Sequence, residues 1–421
     1  MNTARKVGVI LWIVVALVLI GAMIAGIIVG PQFLTNRIVF YSGSGLNDEN
    51  TEVVGEYSVA TKDVEKVDLY WESGLIRIGK HSGDDIKLIE RALKNSKEYN
   101  KMTYDVEDGV LNIDGNMESK WCFFSFGPNP EQKIIDLKLP QDKPELLKDM
   151  IINAQSADIV ADSVSVENLK ADLSSGNVKV EKSKMNNCDI SVTSGDITVD
   201  EVEAYSGKEI VLIKTKSTSG NVKVYGCEAK TVDIESTSGN STCDKVTAVD
   251  SIQVRSTSGN MDISNCNTKN LGLSVTSGNI NTTSVIANQA TANVSSGDIE
   301  LNIDAEKIDC YATSGDIIVN GNIYNADMKA SSGNIIVNSY VDLKEANFSI
   351  VSGDMSLFVP LKDKNGFTAT YDTVSGDFDS DLEFTSSTKD ESKYVYGNGK
   401  YSYSFKSTSG DLKINSNDIM N

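Results

Sequence analysis

Residues 251–264 read SIQVRSTSGNMDIS, and the chemistry of this stretch decides the fold. Ile252 and Val254 alternate with Gln253 and Arg255, and farther on Met261 and Ile263 alternate with Asp262 and Ser264. An apolar residue at every second position describes a strand with one buried face, so both limbs are β-strands. Between them stands Ser258-Gly259-Asn260. Glycine takes positive φ without steric cost and a short Asn side chain bonds nearby backbone, so the tripeptide is a turn.

Working outward, Ser-Gly-Asn/Asp recurs twelve times, with its glycine at Gly176, Gly195, Gly220, Gly239, Gly259, Gly278, Gly297, Gly315, Gly333, Gly353, Gly376 and Gly410. The steps are 19, 25, 19, 20, 19, 19, 18, 18, 20, 23 and 34 residues. A period just under twenty with scattered insertions marks a stacked solenoid in which each copy is one coil. Seven residues before the glycine stand Leu169, Cys188, Ile213, Val232 and Ile252, and five before it Ala171, Ile190, Thr215, Ile234 and Val254. These columns point inward. A further apolar series seven past the glycine, Val202, Cys227, Val246, Cys266 and Val285, reads as a short third side. Stacking then aligns Ser219, Ser238, Ser258 and Ser277 in a hydroxyl ladder, beside an amide ladder of Asn221, Asn240, Asn260 and Asn279 whose members satisfy one another's polar groups.

Two degenerate copies extend the array toward the N-terminus: Ser156-Ala157-Asp158, and Ser73-Gly74 with Val67, Leu69, Ile76 and Ile78 in the expected columns. The interruption between them contains Trp121, Phe123, Phe124 and Phe126, read as a cap over the first rung, because an open sheet edge needs protection. At the other end the array is expected to close on Asp411-Leu412-Lys413-Ile414. Residues 394–401 read as a hairpin with a Gly-Asn-Gly turn, its Tyr394, Tyr396 and Tyr401 serving as a cap or as a contact surface.

Val7 to Val29 is an uncharged run of 23 residues, long enough to cross a bilayer as a helix. Arg5 and Lys6 precede it, which places the N-terminus in the cytoplasm and the rest outside, a single-pass protein of the cell membrane. The expected order is a cytoplasmic tail (1–6), a transmembrane helix (7–29), a linker (30–61), degenerate coils with an aromatic cap (62–149), and regular solenoid (150–421) with an insertion near 380–402. The predicted fold class is all-β: a parallel β-solenoid, or β-helix, of about 19-residue coils preceded by that one helix. About thirteen coils at roughly 4.8 Å each make an array about 60 Å tall, and parallel crossovers favour right-handed winding.

Composition narrows the function. Against 39 basic residues stand 59 acidic ones, for a net charge of −20 over 421 residues, which argues against nucleic acid as a partner. One histidine and six scattered cysteines supply neither a zinc cluster nor a histidine-based triad, so no cofactor, metal or catalytic residue is assigned. Cys227 and Cys266 share a column but lie two rungs apart, roughly 10 Å, beyond disulfide reach. The turn acids Asp196, Asp298, Asp316, Asp354, Asp377 and Asp411 are read as structural, because Asn takes their place in half the copies and lacks the charge a calcium ladder wants. His81 neighbours Ser82 but lacks the third member of a triad.

The opening Val67-Asp68-Leu69 followed by Ser73-Gly74, the Leu139-Pro140 ahead of the array, and the Ser-Gly-Asn/Asp copies resemble the bacterial cell-surface "putative adhesin" family, a β-strand-repeat domain of unknown function. The resemblance covers about residues 58 to 421 and implies adhesion. The expected role is a membrane-anchored, surface-displayed scaffold that binds a surface or envelope ligand, as an adhesin or an envelope sensor. A structural protein self-associating through the solenoid ends is the alternative. A carbohydrate-cleaving β-helix, which needs paired outward acids, is the weaker one, since the outward column after the glycine has no acidic pair on adjacent rungs.

Overall fold

The computed structural model describes residues 46–94, 100–116, 132–205, 210–361, 365–388 and 392–417. The strand Thr247–Ser258 pairs in parallel with Glu228–Ser238 on one side and Asn267–Ser277 on the other. Val232, Ile252 and Leu271 are successive partners, as are Ser238, Ser258 and Ser277. Past the turn, Met261–Ser264 pairs in parallel with Ser241–Asp244 and with the strand that begins at Ile280. Ile252 and Val254 are fully buried, and so are Val246, Cys266 and Val285 of the third side. Alternation in sequence has thus become an inner wall, with hydrophobic burial as its driving force. The 25-residue step leaves the register intact, since Ile197 pairs with Val222 and Cys188 with Ile213.

Gly74 lies directly opposite Ala157, and Val67 opposite Met150, so the two degenerate copies are adjacent coils despite their separation in sequence. On the other edge of Lys66–His81 the parallel pairing continues through Val110–Asp114 and Lys133–Pro140. Antiparallel strands then take over. Asp85–Leu93 pairs with Lys133–Pro140, Thr51–Ala60 with Asp85–Leu93, and Thr103–Glu107 with Val110–Asp114. Residues 51–60, expected in the linker, therefore belong to this closing layer. The aromatic cluster at 121–126, with Cys122, lies outside the described residues.

The predicted fold class needs correction in one part. Among the described residues there is no helix long and apolar enough to cross a membrane, and their helical content is the three-residue turn Thr61–Asp63. What is described is all-β, without the helical component, and the stretch 7–29 lies outside it.

The distal end departs from chain order. Tyr401–Ser409 pairs in parallel with Glu345–Ser352 on one edge and with Phe367–Ser375 on the other. The coil of Gly410 is therefore inserted between those of Gly353 and Gly376, and the expectation that Asp411 to Ile414 form the end rung is wrong. Aromatic packing accounts for the insertion: Phe405 meets Phe348 edge-on at 5.3 Å and Tyr403 stacks on Phe367 at 4.4 Å. The buried Tyr403 hydroxyl donates to the Leu343 carbonyl at 3.0 Å. Nor is 394–401 a hairpin. Lys393–Tyr396 runs antiparallel along Phe367–Ser375, on the edge opposite Tyr401–Ser409, so a whole strand separates the two arms.

The proximal layer buries an ion pair, in which Glu90 Oε1 is bonded and Oε2 has no hydrogen-bond partner among the described residues. Lys133 Nζ, fully buried, donates to Glu90 Oε1 at 2.7 Å and to the carbonyls of Asn100 and Gly115 at 2.6 Å each, which uses all three of its protons. Trp71 lies beneath it, with Nζ 5.4 Å from a ring centroid. Replacing Lys133 by Met would strand the Glu90 carboxylate in the interior. The expected loss is about 3 kcal/mol, read as a lower urea midpoint. An unchanged midpoint would mean that water reaches Glu90.

Candidate functional site

The turn series is one continuous hydrogen-bonded column. The Asn260 N–H donates to Asn240 Oδ1 at 2.9 Å, Asn279 N–H to Asn260 Oδ1 at 3.0 Å, and Asp298 N–H to Asn279 Oδ1 at 2.9 Å. The column starts at Asp158, which accepts from Asn177 N–H at 2.8 Å, and ends as Asp354, Asp411 and Asp377, in the inserted order. Each side chain thus satisfies a backbone donor of the next coil, as the amide ladder required. Among the described residues no group of three or more His, Cys, Asp or Glu could hold a metal ion.

Gly259 shows what the turn demands. Its φ is +128°, and a Cβ there would stand 2.1 Å from the carbonyl oxygen of Gly239 in the coil below. The other glycines of the series occupy the same place with φ between +124° and +144°, except Gly376 in the outermost coil. Their role is stacking geometry.

Tyr394 is buried against Phe378 at 4.1 Å, Tyr396 stacks on Phe367 at 5.6 Å, and Tyr401 is half-buried against the core. Tyr394 and Tyr396 belong to the distal cap and Tyr401 lies across the strand Phe367–Ser375 from them, each packed against the core. His81 is held in its own turn: Nε2 meets the Asp85 carbonyl at 2.7 Å and Nδ1 accepts from Gly83 N–H at 3.1 Å. Neither ring nitrogen is left for Ser82.

Cys188, Cys227, Cys243, Cys266 and Cys310 are buried free thiols. Burial pushes Cys227 up to about 11 and drives Cys188 and Cys310 higher still, so these remain protonated and inert at neutral pH. Column-wise reading missed one contact. Cys243 and Cys266 belong to different columns, yet their sulfurs lie 3.8 Å apart because the chain bends at Asn265, whose φ is +52°. Outward acids do occur on adjacent rungs: Asp309 faces Asp327 before the turn, and after it, against expectation, Glu181 lies between Asp162 and Asp200. Asp309 and Asp327 are each paired with a lysine of their own strand, Lys307 at 2.9 Å and Lys329 at 3.2 Å, and Glu181 is paired with Lys179 at 2.6 Å.

Stacked parallel coils, a turn ladder along one edge and capping strands define the class: a β-solenoid scaffold. Its sequence matches the Toastrack DUF4097 description over residues 64–248 and 242–415, nearly all of the array. The chain belongs to that family, the β-repeat domain of unknown function expected from the Ser-Gly-Asn/Asp copies. No curated protein matches it significantly. Solved structures similar to it include a "putative cell adhesion protein" from Clostridium sporogenes, at 10% identity over 87% of this chain and 100% of that one, with a TM-score of 0.17. A "putative lipid binding protein" from Parabacteroides distasonis shares 14% identity over 88% of this chain and 98% of its own, with a TM-score of 0.25. For a "putative adhesin" from Parabacteroides merdae the values are 10%, 69%, 97% and 0.27.

Proposed function

We propose that this chain is a binding scaffold displayed outside the cell, presenting the solenoid's flat strand faces to a surface or envelope ligand. The observation that carries the reading is the division of labour within each coil. Inward columns and the turn ladder are consumed by stacking, while the outward columns hold polar residues that vary from coil to coil: Lys214, Asp233, Gln253, Gly272, Thr291 and Asp309 at one position. A repeat that keeps its inner surface uniform and varies its outer one is built to present chemistry. Display outside the cell is supported by the resemblance of the Ser-Gly-Asn/Asp copies to a bacterial cell-surface family. The distal end favours a scaffold over an end-to-end polymer, since its parallel stacking gives way to antiparallel strands that finish at the two-residue strand Ser386–Ser387.

The test is retention. Labelled full-length protein, purified, should be held saturably by intact cells and by isolated envelope, with unlabelled protein as competitor, and protease added to intact cells should cleave the native protein. Absence of saturable retention sinks the binding role; full protection in cells shown to be accessible sinks the display.

A further inference from the structure

Two of the buried cysteines meet, although packing requires sulfur at neither place. Cys243 pairs in register with Val224 on one side and Ile263 on the other, and Cys266 shares its column with Val202, Val246 and Val285. Branched hydrocarbon fills both columns elsewhere. Yet Cys243 Sγ and Cys266 Sγ, on adjacent coils, lie 3.8 Å apart.

The corner that brings them together is pinned from both sides. Asp244, the residue after Cys243, accepts at Oδ1 from the Ser264 hydroxyl and from Asn265 Nδ2, each at 2.8 Å, and these are the two residues before Cys266. The sulfurs are thus held in contact by polar bonds that flank them. Cys243 is fully buried, whereas Cys266 is 2% exposed and stands between the exposed Asn265 and Asn267, so a small loosening of the corner uncovers it. The hydrogen bond between the sulfurs lowers the Cys266 thiol and raises that of Cys243, which makes Cys266 the one that ionises first. A few residues farther on, the same two coils shift register between Ala248 and Ser251.

We propose that Cys243 and Cys266 are a disulfide site, which a low-molecular-weight disulfide closes into a covalent staple between the coils of Gly239 and Gly259. The Cys266 thiolate attacks one sulfur of the external disulfide and displaces the other as a thiolate. Cys243 then gives up its proton, attacks Cys266 Sγ in the mixed disulfide and displaces the second thiolate. Two electrons pass to the oxidant, and the two protons of the protein thiols end on the two thiols released. The second step is intramolecular, so the buried Cys243 needs no access of its own. Closing the sulfurs from 3.8 Å to about 2.05 Å is a movement on the scale of side-chain rotation. The staple falls near the middle of the array, beside an interruption in the pairing of the coils it joins. Its formation in cells rests on the display reading, because disulfides persist outside the cell and not in a reducing cytosol.

The experiment equilibrates reduced full-length protein with oxidised glutathione, quenches it in acid, and reads it by intact mass and non-reducing peptide mapping. The protein should become lighter by two hydrogens, with the peptides of Cys243 and Cys266 joined, and should melt at least about 3 °C above the reduced form. Cys243→Val and Cys266→Val place a residue the core columns already hold, so both should fold, lack the link and melt alike in either redox state. Cys243→Val should instead carry one glutathione on Cys266, and Cys227→Val should behave as the parent. No link, a link to any other cysteine including Cys122, a link that persists in either variant, or a melt indifferent to oxidation overturns the staple. In parallel, cells are quenched in acid and alkylated before lysis; protection of Cys243 and Cys266 until reduction supports the site in its setting. A bond that forms in the purified protein and is absent from cells keeps the site and counts against the display reading.

Discussion

Val254→Asp is expected to cost about 5 kcal/mol, whereas Gln253→Asp, one residue earlier, should cost under about 1 kcal/mol. Val254 is fully buried between Ile234 and Leu273 of the adjacent coils, and its Asp replacement would have neither water nor a cation within the apolar column. Desolvating that carboxylate adds to the ~1.5–3 kcal/mol lost with the valine. Gln253 faces outward, where the new charge would oppose Asp233 but also neighbour Arg255, so two small effects partly cancel. Because each coil touches only its neighbours, a defect at mid-array should also divide the cooperative unit. Calorimetry should then show two transitions for Val254→Asp and one for Gln253→Asp. Equal shifts would mean the inward and outward assignment is wrong.

Gly259→Val is expected to cost about 4 kcal/mol. Positive φ strains any L residue with a Cβ, for about 1–3 kcal/mol. The steric term adds to it: the atom in the way is the Gly239 carbonyl oxygen, which belongs to backbone and cannot step aside without moving a coil. A comparison isolates the cause. At Gly272 a Cβ would come equally close to a neighbour, but that neighbour is the Gln253 side-chain amide, free to rotate, and the backbone is unstrained. Gly272→Ala should therefore stay within about 1 kcal/mol of the parent while Gly259→Ala falls well below it, both measured by urea denaturation. Similar losses for the two would show that glycine is favoured for some reason other than turn geometry and coil spacing.

Much of the candidate surface was visible in the sequence without being recognisable as such. The column containing Gln253, Gly272 and Thr291 is plain once the copies are aligned on their glycines. That the Gln253 amide lies over Gly272 is a side-chain arrangement that alignment does not predict. Cys243 and Cys266 show the same limit from the inside, since their contact crosses columns through a bend at Asn265.

The sequence by itself determined the coil: its period, its turn, and which residues face inward. These depend on interactions that are local or repeat from one coil to the next, namely two-residue alternation, the freedom of Gly259 and its equivalents to take positive φ, and Asn or Asp placed to bond the following turn. Only the tertiary structure decided the order of the coils at the distal end and the closure of the proximal one. Every copy carries the same backbone signature, so the coil of Gly353 can be followed by that of Gly376 or of Gly410 with equal hydrogen bonding, and chain order does not choose. The choice falls to aromatic packing of Phe348, Phe405, Tyr403 and Phe367, and the side chains that meet there are far apart in sequence. At the proximal end Lys133 and Glu90 look like surface charges in sequence, and become an interior pair because antiparallel strands fold over them and supply the carbonyls that complete the ammonium's hydrogen bonds.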